Sequence, residues 1–403
     1  MTKTATCMTG PNAVFTRRHD LDWLRIIAFG ILIFYHVGMF FVTWGWHVKS
    51  PDANEGPELL MRLVNPWRLA LLFFISGVAL RFLADKIGSA SMARDRLVRI
   101  APVIVFGMAV LVMPQTWFEL RQQGLIEANF ASFYADYLRP NVLHGLITPT
   151  WNHLWYVVYL LVYSLLIAPL IPAMRALGQG PVGQFVGRVW TGRLGPVLIV
   201  ILPALPFFAY RVWLDPHFET THALIDDWAN HAHRLTILII GFYAAKSPAF
   251  WNAVRRALPI ALVYAVFFAG VFAWALARPG DDWAGQEVLL WAVRFGRILY
   301  AWAVILSLLG LAQLFLNRDG PARRYLTQAI FPFYILHQTI TVSAGYYIAQ
   351  AGWDVWTQFV VLVAVTIGGC ALGFELIRRL KWVRPLFGLK GRTEARRVAA
   401  PAE

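Results

Sequence analysis

The sequence predicts an all-α, polytopic integral membrane protein with about ten transmembrane helices and both termini in the cytoplasm. Three observations predict this fold class. Of the 403 residues, 58% are hydrophobic and only 14% are charged, whereas a soluble domain averages about a quarter charged residues. The apolar residues are grouped in runs long enough to cross a bilayer. The basic residues are concentrated in every second segment between those runs.

Ten apolar runs are bounded by polar residues, proline or glycine. The sixth is the shortest, and its assignment as a span is the weakest. The long loop 119–150 is expected to contain a short helix on the membrane surface. We expect residues 1–384 to form one membrane domain and residues 385–403 a basic cytoplasmic tail. The runs are 22–46, 59–84, 98–118, 151–173, 195–214, 232–246, 258–277, 287–316, 324–349 and 356–379.

The orientation follows from the charges between the runs. With the N-terminus in the cytoplasm, the inner segments contain 24 basic residues and the outer loops contain 4. Lys and Arg near span ends resist translocation, so the richer side is cytoplasmic. The net charge of +14 is therefore explained by topology, and nucleic-acid binding is not expected. Cys7 and Cys370 are too far apart in sequence for a disulfide framework or a cysteine zinc site.

Eight further arginines lie inside the runs, where an ionised group is costly unless it faces a cavity or a partner. Arg68, Arg294 and Arg297 lie deepest, about 10–15 Å from the outer end at 1.5 Å per residue. Arg294 and Arg297 also share a helix face. For these three we favour a polar cavity. For four near span ends, a charged group reaching the interface is the simpler interpretation: Arg62, Arg81, Arg211 and Arg234.

The first run has the sharpest arrangement of polar residues. Arg25 and His36 are eleven residues apart, almost three helical turns, so they face the same way about 16 Å apart along the axis. Asp22 is one turn before Arg25 and can pair with it. The arrangement indicates a cation at the inner mouth and a general base toward the outer one. The simpler alternative is a packed histidine and an arginine that reaches the interface.

Two more histidines lie within the spans. His337, in the ninth run, is expected at a depth similar to His36, and His153 begins the fourth run at the outer surface. Each alone is more often structural than catalytic. Four histidines crowd the loop before the sixth run beside Asp226 and Asp227, but their spacing matches no metal-ligand motif. We interpret them as a solvated loop and expect no metal site: His217, His222, His231 and His233.

Other reaction classes lack their motifs. The sequence has no phosphate-binding G-x-x-x-x-G-K-[ST], no zinc-binding H-E-x-x-H and no G-x-S-x-G. ATP-driven transport, zincin chemistry and α/β-hydrolase chemistry therefore have no support.

At these residues the chain resembles the membrane acyltransferase-3 family. It is more closely similar to the glucan biosynthesis protein C branch, which is associated with succinylation of osmoregulated periplasmic glucans. LDWLRIIAF followed by His36 resembles the family's Arg-x10-His signature. The similarity covers nearly the whole chain, in the order WGWHVKS, FFISG at 73–77, RDRLVRIAP at 94–102, MPQ at 113–115, HLWYV at 153–157, FYILH at 333–337 and FELIRRL before RPLFG.

The resemblance implies a multi-pass enzyme of the bacterial inner membrane. It would transfer an acyl group from cytoplasmic acyl-CoA, succinyl-CoA or acetyl-CoA, to a hydroxyl of a periplasmic glycan. The position of His36 resembles that of the family's catalytic histidine, a residue type suited to general base catalysis near neutral pH. Arginines at the inner mouth would hold the CoA phosphates, and we assign this role to Arg25, Arg81, Arg94, Arg96 and Arg99.

One feature departs from the family. Many members have a Ser-x-Glu-Glu-like segment at the fourth span, whereas this chain has NHLWYVVYL without an acidic residue. We therefore expect His153 or His337 to assist His36. Asp22, Arg68, Arg294 and Arg297 are assigned to the cavity for acyl group and acceptor.

Several alternatives remain open. The acceptor could be a lipopolysaccharide sugar, another envelope glycan or a small exported molecule in place of a glucan. A transporter of an anionic solute is the rival class, although the paired broken helices of many transporters are not evident. The expected partners are the lipid bilayer, acyl-CoA and the glycan, with no permanently bound cofactor, and a homo-oligomer is left open.

Overall fold

The computed structural model describes residues 18–127, 129–278 and 285–389, which are almost entirely helical. A β-hairpin, β1 Asn141–Leu143 and β2 Leu146–Thr148, pairs antiparallel. Residues 390–403, most of the predicted basic tail, lie outside the described residues. The helices are α1 His19–Met39, α2 Glu58–Ile87, α3 Ser89–Phe106, α4 Met113–Gln122, α5 Phe130–Tyr137, α6 Trp155–Ile167, α7 Ile171–Gln179, α8 Pro181–Thr191, α9 Gly195–Ile201, α10 Leu205–Trp213, α11 Trp228–Ala244, α12 Pro248–Leu276, α13 Glu287–Phe315, α14 Pro321–Ala349 and α15 Val355–Ile377.

The membrane fold class is confirmed, but the count of ten spans is not. Within the described ranges, eight helical segments are long and apolar enough to cross a bilayer. The other two predicted runs are helices of a different character. The sixth corresponds to α11, which has only 17 residues. The ninth corresponds to α14, which has 29 residues but includes polar His337 and Gln338 near its centre.

Local sequence explains where several helices begin. Asp20 and Asp22 in the first turn of α1 complement the positive end of the helix dipole. Asp354 accepts hydrogen bonds from two backbone N–H groups at the start of α15. Ser247 caps α12 in the same way, ahead of Pro248 at the first helical position. These caps satisfy donors that have no partner within the helix.

Two glycines let α2 and α11 approach closely. A Cβ atom on Gly77 would lie 1.9 Å from the Leu238 carbonyl oxygen, and one on Gly241 would lie 2.1 Å from that of Phe74. Small residues allow such backbone contact between membrane helices. The short α11 therefore packs tightly against the long α2.

A π-helical segment, Gly107–Val112, joins α3 to α4. Two of its carbonyl groups accept hydrogen bonds from side chains, Met108 from Tyr137 at 2.9 Å and Leu111 from Thr339 at 2.6 Å. Wide helical turns of this kind are frequent at functional sites. Here the segment connects the span to α5, the predicted short helix of the loop, and to α14.

The polar cavity lies beside the central helix of the bundle. α1 packs against α2, α13, α14 and α15, and its apolar face contributes to the main core. α1, α2 and α14 bring His36, Arg68 and Gln338 together at one cavity.

Candidate functional site

A cavity of about 1230 Å³ lies near the C-terminal end of α1. This exceeds the usual range for small-molecule sites, about 300–1,000 Å³. Helices α1, α2, α13 and α14 form its walls together with the loops around residues 45–47 and 215–222. The predicted residues on its surface are His36, Arg68, His153, Arg294 and Arg297.

His36 and His337 form a hydrogen-bonded pair at this cavity. His36 Nδ1 lies 2.7 Å from His337 Nε2, and the two rings are stacked with centroids 4.9 Å apart. His337 is fully buried, and its Nδ1 lies 2.6 Å from the Tyr334 carbonyl oxygen. A carbonyl only accepts, so His337 Nδ1–H donates to it and the neutral ring's Nε2 carries the lone pair.

The His337 tautomer determines that of His36. Since His337 Nε2 accepts, His36 Nδ1–H is the donor, and in the neutral ring His36 Nε2 carries the lone pair. Within the described residues this Nε2 atom has no hydrogen-bond partner. A histidine so arranged can take a proton from a group in the cavity.

His153 lies behind this pair. Its Nε2–H donates to the Ile335 carbonyl at 3.1 Å, and its ring meets that of His337 edge-on at 5.3 Å. The Tyr334 hydroxyl donates to the His153 carbonyl at 2.5 Å. His153 therefore packs against the His337 ring, whereas His337 makes the direct hydrogen bond with His36.

A second hydrogen-bonded histidine, paired with a glutamate, was not predicted from the sequence. His47, in the loop after α1, hydrogen-bonds through Nδ1 to Glu119 of α4. Its Nε2 lies 3.0 Å from Gln338 Nε2, and Gln338 in turn bonds to buried Gln115. Glu119 supplies a carboxylate close to the cavity although the fourth span has none. WGWHVKS was the only signal for His47, and nothing in the sequence linked it to Glu119.

Arg68 is buried on the α2 side of the cavity with only 7% of its surface exposed. Its guanidinium carbon lies 3.3 Å from the centroid of the Tyr35 ring, and Nη2 donates to Asn65 at 3.2 Å. Its Nε and Nη1 atoms are buried with no hydrogen-bond partner in the described part of the chain. Unpaired buried donors are costly, so this group is suited to an anionic ligand.

The arginines of α13 extend the positive surface. Arg294 stacks on Trp291 at 4.5 Å, and Arg297 lies 5.3 Å from the Phe272 ring centroid. Neither makes an ion pair with another described residue.

Asp215, which also lines the cavity, binds Arg211 and His233, each at 3.0 Å. Although burial opposes it, these contacts lower the pKa of Asp215 below its ordinary value.

Most residues of the loop before α11, including His217, are exposed as expected of a solvated loop, but His222 in the loop and His233 in α11 line the cavity. Asp227 is fully buried and accepts hydrogen bonds from the backbone of Thr221 and His222 and from the side chains of Tyr159 and Asn230. His222 faces the cavity in the left-handed region, with φ of 57°. Burial lowers its pKa to about 4.

Arg25 and Arg96 lie toward the other end of the bundle. The Nε atoms of both are buried without a partner among the described residues. Both guanidinium charges interact electrostatically with the Tyr156 hydroxyl. This hydroxyl also forms a hydrogen bond with the Ser76 hydroxyl at 2.6 Å. Tyr156 also lines the cavity. It therefore connects this arginine pair to the histidine end.

Four residues assigned to the site from the sequence lie outside the cavity lining, namely Asp22, Arg81, Arg94 and Arg99, whereas Arg211 and Arg234, expected to reach the interface, are part of it. Asp22 pairs with buried Arg323 of α14. Arg81 is buried and binds Asp85 at 3.0 Å; Asp85 also binds Arg175 and Lys246. Arg99 pairs with Asp95 at 2.6 Å, and Arg94 is exposed.

Comparison with protein-family models identifies the chain. The model described as an acyltransferase domain, Acyl_transf_3, matches residues 18–375, which include the cavity, the His36–His337 pair and the His47–Glu119 pair. Neither a curated protein nor a solved structure matches. The protein is a multi-pass membrane acyltransferase that belongs to the acyltransferase-3 family.

Proposed function

We propose that the protein transfers an acyl group from cytoplasmic acyl-CoA to a hydroxyl of a periplasmic glycan in the bacterial inner membrane, with His36 as general base. The observation that carries this proposal is the His36–His337 pair. It leaves one imidazole nitrogen with a free lone pair at a cavity large enough for a sugar and an acyl group.

The chemistry requires one base and one leaving group. His36 Nε2 takes the hydroxyl proton while the hydroxyl oxygen attacks the thioester carbonyl carbon. A C–O bond forms, the C–S bond breaks, and the CoA thiolate leaves with the proton returned from the imidazolium. His337 accepts from Nδ1–H throughout, so the His36 ring stays oriented. Arg68 is placed to stabilise negative charge that develops in the cavity.

Arg25 and Arg96 are proposed to bind the CoA portion at the cytoplasmic mouth. Their unpartnered Nε donors suit phosphate oxygens. Arg81, Arg94 and Arg99 would add positive charge around that mouth. Arg25→Ala is expected to raise the apparent KM for acyl-CoA with a smaller effect on that for the acceptor. An effect confined to the acceptor would reject this assignment.

We propose succinyl as the acyl group and an osmoregulated glucan as the acceptor. A succinyl group ends in a carboxylate that accepts charge-assisted hydrogen bonds from a guanidinium, and two Arg68 nitrogens, Nε and Nη1, have no hydrogen-bond partner among the described residues. An acetyl group has no carboxylate, so it would leave the cost of burying these Arg68 donors uncompensated. The positive surface continues to Arg294 and Arg297.

The acceptor is tested by mass analysis of envelope glycans from cells with the gene, without it, and with His36→Ala. We expect glucan succinylation only with the wild-type gene. His217→Ala, at an exposed loop histidine, is the matched control and should support modification. A change in lipopolysaccharide or another envelope sugar would reject the glucan, and no change in any glycan would reject the proposed function.

The acyl group is tested by donor competition between succinyl-CoA and acetyl-CoA in membranes. Wild type is expected to prefer succinyl-CoA, and Arg68→Gln, Arg294→Gln and Arg297→Gln are measured for loss of that preference. A wild type that prefers acetyl-CoA would reject the succinyl assignment, as would three variants with unchanged preference.

A further inference from the structure

The side-chain amide of Gln338 is held in one orientation by hydrogen bonds from two directions. Gln338 lies in α14 directly after His337, is 3% exposed and lines the cavity. Its Nε2 atom lies 3.0 Å from Gln115 Oε1 and 3.0 Å from His47 Nε2. The direction of each of these bonds can be deduced from its neighbours.

The hydrogen bond between Gln338 and Gln115 is assigned from contacts with the π-helical segment. The Thr339 hydroxyl donates its one proton to the Leu111 carbonyl at 2.6 Å, so Thr339 Oγ1 must accept from Gln115 Nε2 at 2.8 Å. Gln115 Oε1 is consequently an acceptor, and it also accepts from Asn152 at 3.2 Å. The Gln338 atom that faces it must then be the amide nitrogen.

The hydrogen bond between Gln338 and His47 is assigned from the contact of His47 with Glu119. An ionised carboxylate only accepts, so His47 Nδ1–H donates to it. The Gln338 nitrogen that faces Gln115 also faces His47 Nε2, so this ring atom accepts its second amide proton. The nitrogen of Gln338 is thus bound by the protein on both sides. The carbonyl oxygen Oε1 remains, and in the described structure it has no hydrogen-bond partner.

Resting on the proposed function, we propose that Gln338 Oε1 positions the acceptor by accepting a hydrogen bond from a hydroxyl beside the one that attacks. A hydroxyl has one proton and cannot donate to His36 Nε2 and Gln338 Oε1 at once. Two free acceptors at one cavity therefore match two hydroxyls. The acceptor class is a polyol or sugar with neighbouring hydroxyls, and Gln338 is a positioning residue.

Glu119 and His47 act through Gln338 in this arrangement. Glu119 does not line the cavity, yet its charge determines the His47 tautomer and hence the orientation of the amide. In Glu119→Gln the new amide can donate to His47 Nδ1, which allows the tautomer with Nε2–H. His47 Nε2–H would then face the Gln338 nitrogen, donor against donor, while Gln115 Oε1 still requires that nitrogen, so the Gln338 amide would be displaced from its position.

The experiment measures acyl transfer by the purified full chain to paired model acceptors, a sugar with neighbouring hydroxyls and the same sugar lacking one of them. Gln338→Leu is expected to raise the KM for the complete sugar about tenfold, the loss of one hydrogen bond, with an unchanged KM for acyl-CoA. It should also remove the preference for the complete sugar over the deoxy sugar. Glu119→Gln should reproduce both effects.

Gln358→Leu is the matched control. Gln358 is an equally buried glutamine of α15 whose amide bonds to Ser50 and Asp52 outside the cavity, so acceptor preference should be unaffected. If Gln338→Leu does not fold, Glu119→Gln alone decides. An unchanged acceptor KM and preference in an active Glu119→Gln enzyme would overturn the proposal while the acyltransferase function stands. Absence of transfer by wild type to any acceptor would reject the function itself.

Discussion

The two sides of the cavity differ in what they offer a substrate. On the α1 and α14 side, each N–H group of His36, His337 and Gln338 named above has an acceptor, and the atoms left over are lone-pair acceptors, His36 Nε2 and Gln338 Oε1. On the α2 and α13 side the atoms without a partner among the described residues are donors, Arg68 Nε and Nη1, and Arg294 and Arg297, which form no ion pair with a described residue, line the same cavity.

The difference indicates which part of a substrate each side recognises. Free acceptors bind hydroxyl protons, and free guanidinium donors bind carboxylate or phosphate oxygens. A cavity with both sides suits a reaction that brings a neutral polyol to an anionic acyl donor. One side of the cavity is preorganised, because hydrogen bonds fix the orientation of its rings. On the other side, a bound anion would compensate the cost of burying the Arg68 charge.

The largest effect is expected from His337→Phe. Phenylalanine keeps an aromatic ring against His36 but removes the Nε2 acceptor, so the His36 tautomer is no longer determined. We expect a fall of about 10²-fold in kcat with little change in either KM. Steady-state kinetics in detergent or nanodiscs measures this, and a changed KM with normal kcat would show that the histidine pair serves binding.

Arg68→Met tests the donor side by stability. It removes the unpaired buried charge and keeps an apolar side chain, which should make the unliganded protein more stable by about 1–3 kcal/mol. Succinate should raise the unfolding temperature of wild type and leave that of the variant unchanged. The control, Arg62→Met, removes an arginine that is paired with Glu58 at 3.0 Å. An equal succinate effect on wild type and Arg68→Met would contradict the role of this side.

Asp227→Asn tests whether the loop wall is held as tightly as the histidines. The two carboxylate oxygens of Asp227 together accept four hydrogen bonds. In the variant one of these oxygens is replaced by an NH₂ group, a donor that faces other donors. We expect a loss of about 1–3 kcal/mol in stability and a raised acceptor KM. Thermal unfolding and kinetics measure the two effects, and wild-type values for both would show that the loop is dispensable.

The smallest effect concerns acid stability and His222. Its pKa is about 4 in the folded protein because of burial, against about 6.5 in an unfolded chain. Between these values the unfolded state binds the extra proton, so stability falls as pH drops from about 6.5 to 4. His222→Gln should flatten this part of the stability profile. An unchanged slope would place the acid sensitivity elsewhere.

The sequence predicted the fold class well because hydropathy over about 20 residues is a local property. The two predicted runs that do not meet the apolar criterion show its limit. α11 is short and packs closely on α2 through Gly77 of α2 and its own Gly241, and α14 has polar groups of the site in place of apolar residues. Hydropathy alone does not describe a helix whose polar centre is buried by neighbouring helices.

The sequence predicted a similar depth for His36 and His337 and His153 or His337 as the residue that assists His36, but depth alone does not determine which side chains meet. The His47–Glu119 contact was not predictable, since it joins residues 72 positions apart through a loop and a π-helical segment. The direction of each hydrogen bond was equally inaccessible. It depends on the whole chain of neighbours from Thr339 to Glu119.

The most direct test of the central claim is the transfer rate of His36→Asn. An asparagine amide nitrogen can take the place of Nδ1 and donate to His337, while nothing replaces the lone pair of Nε2. We expect normal abundance, an unchanged KM for acyl-CoA and a transfer rate at least about 100-fold below wild type. A rate within tenfold of wild type would contradict the claim that His36 Nε2 is the base.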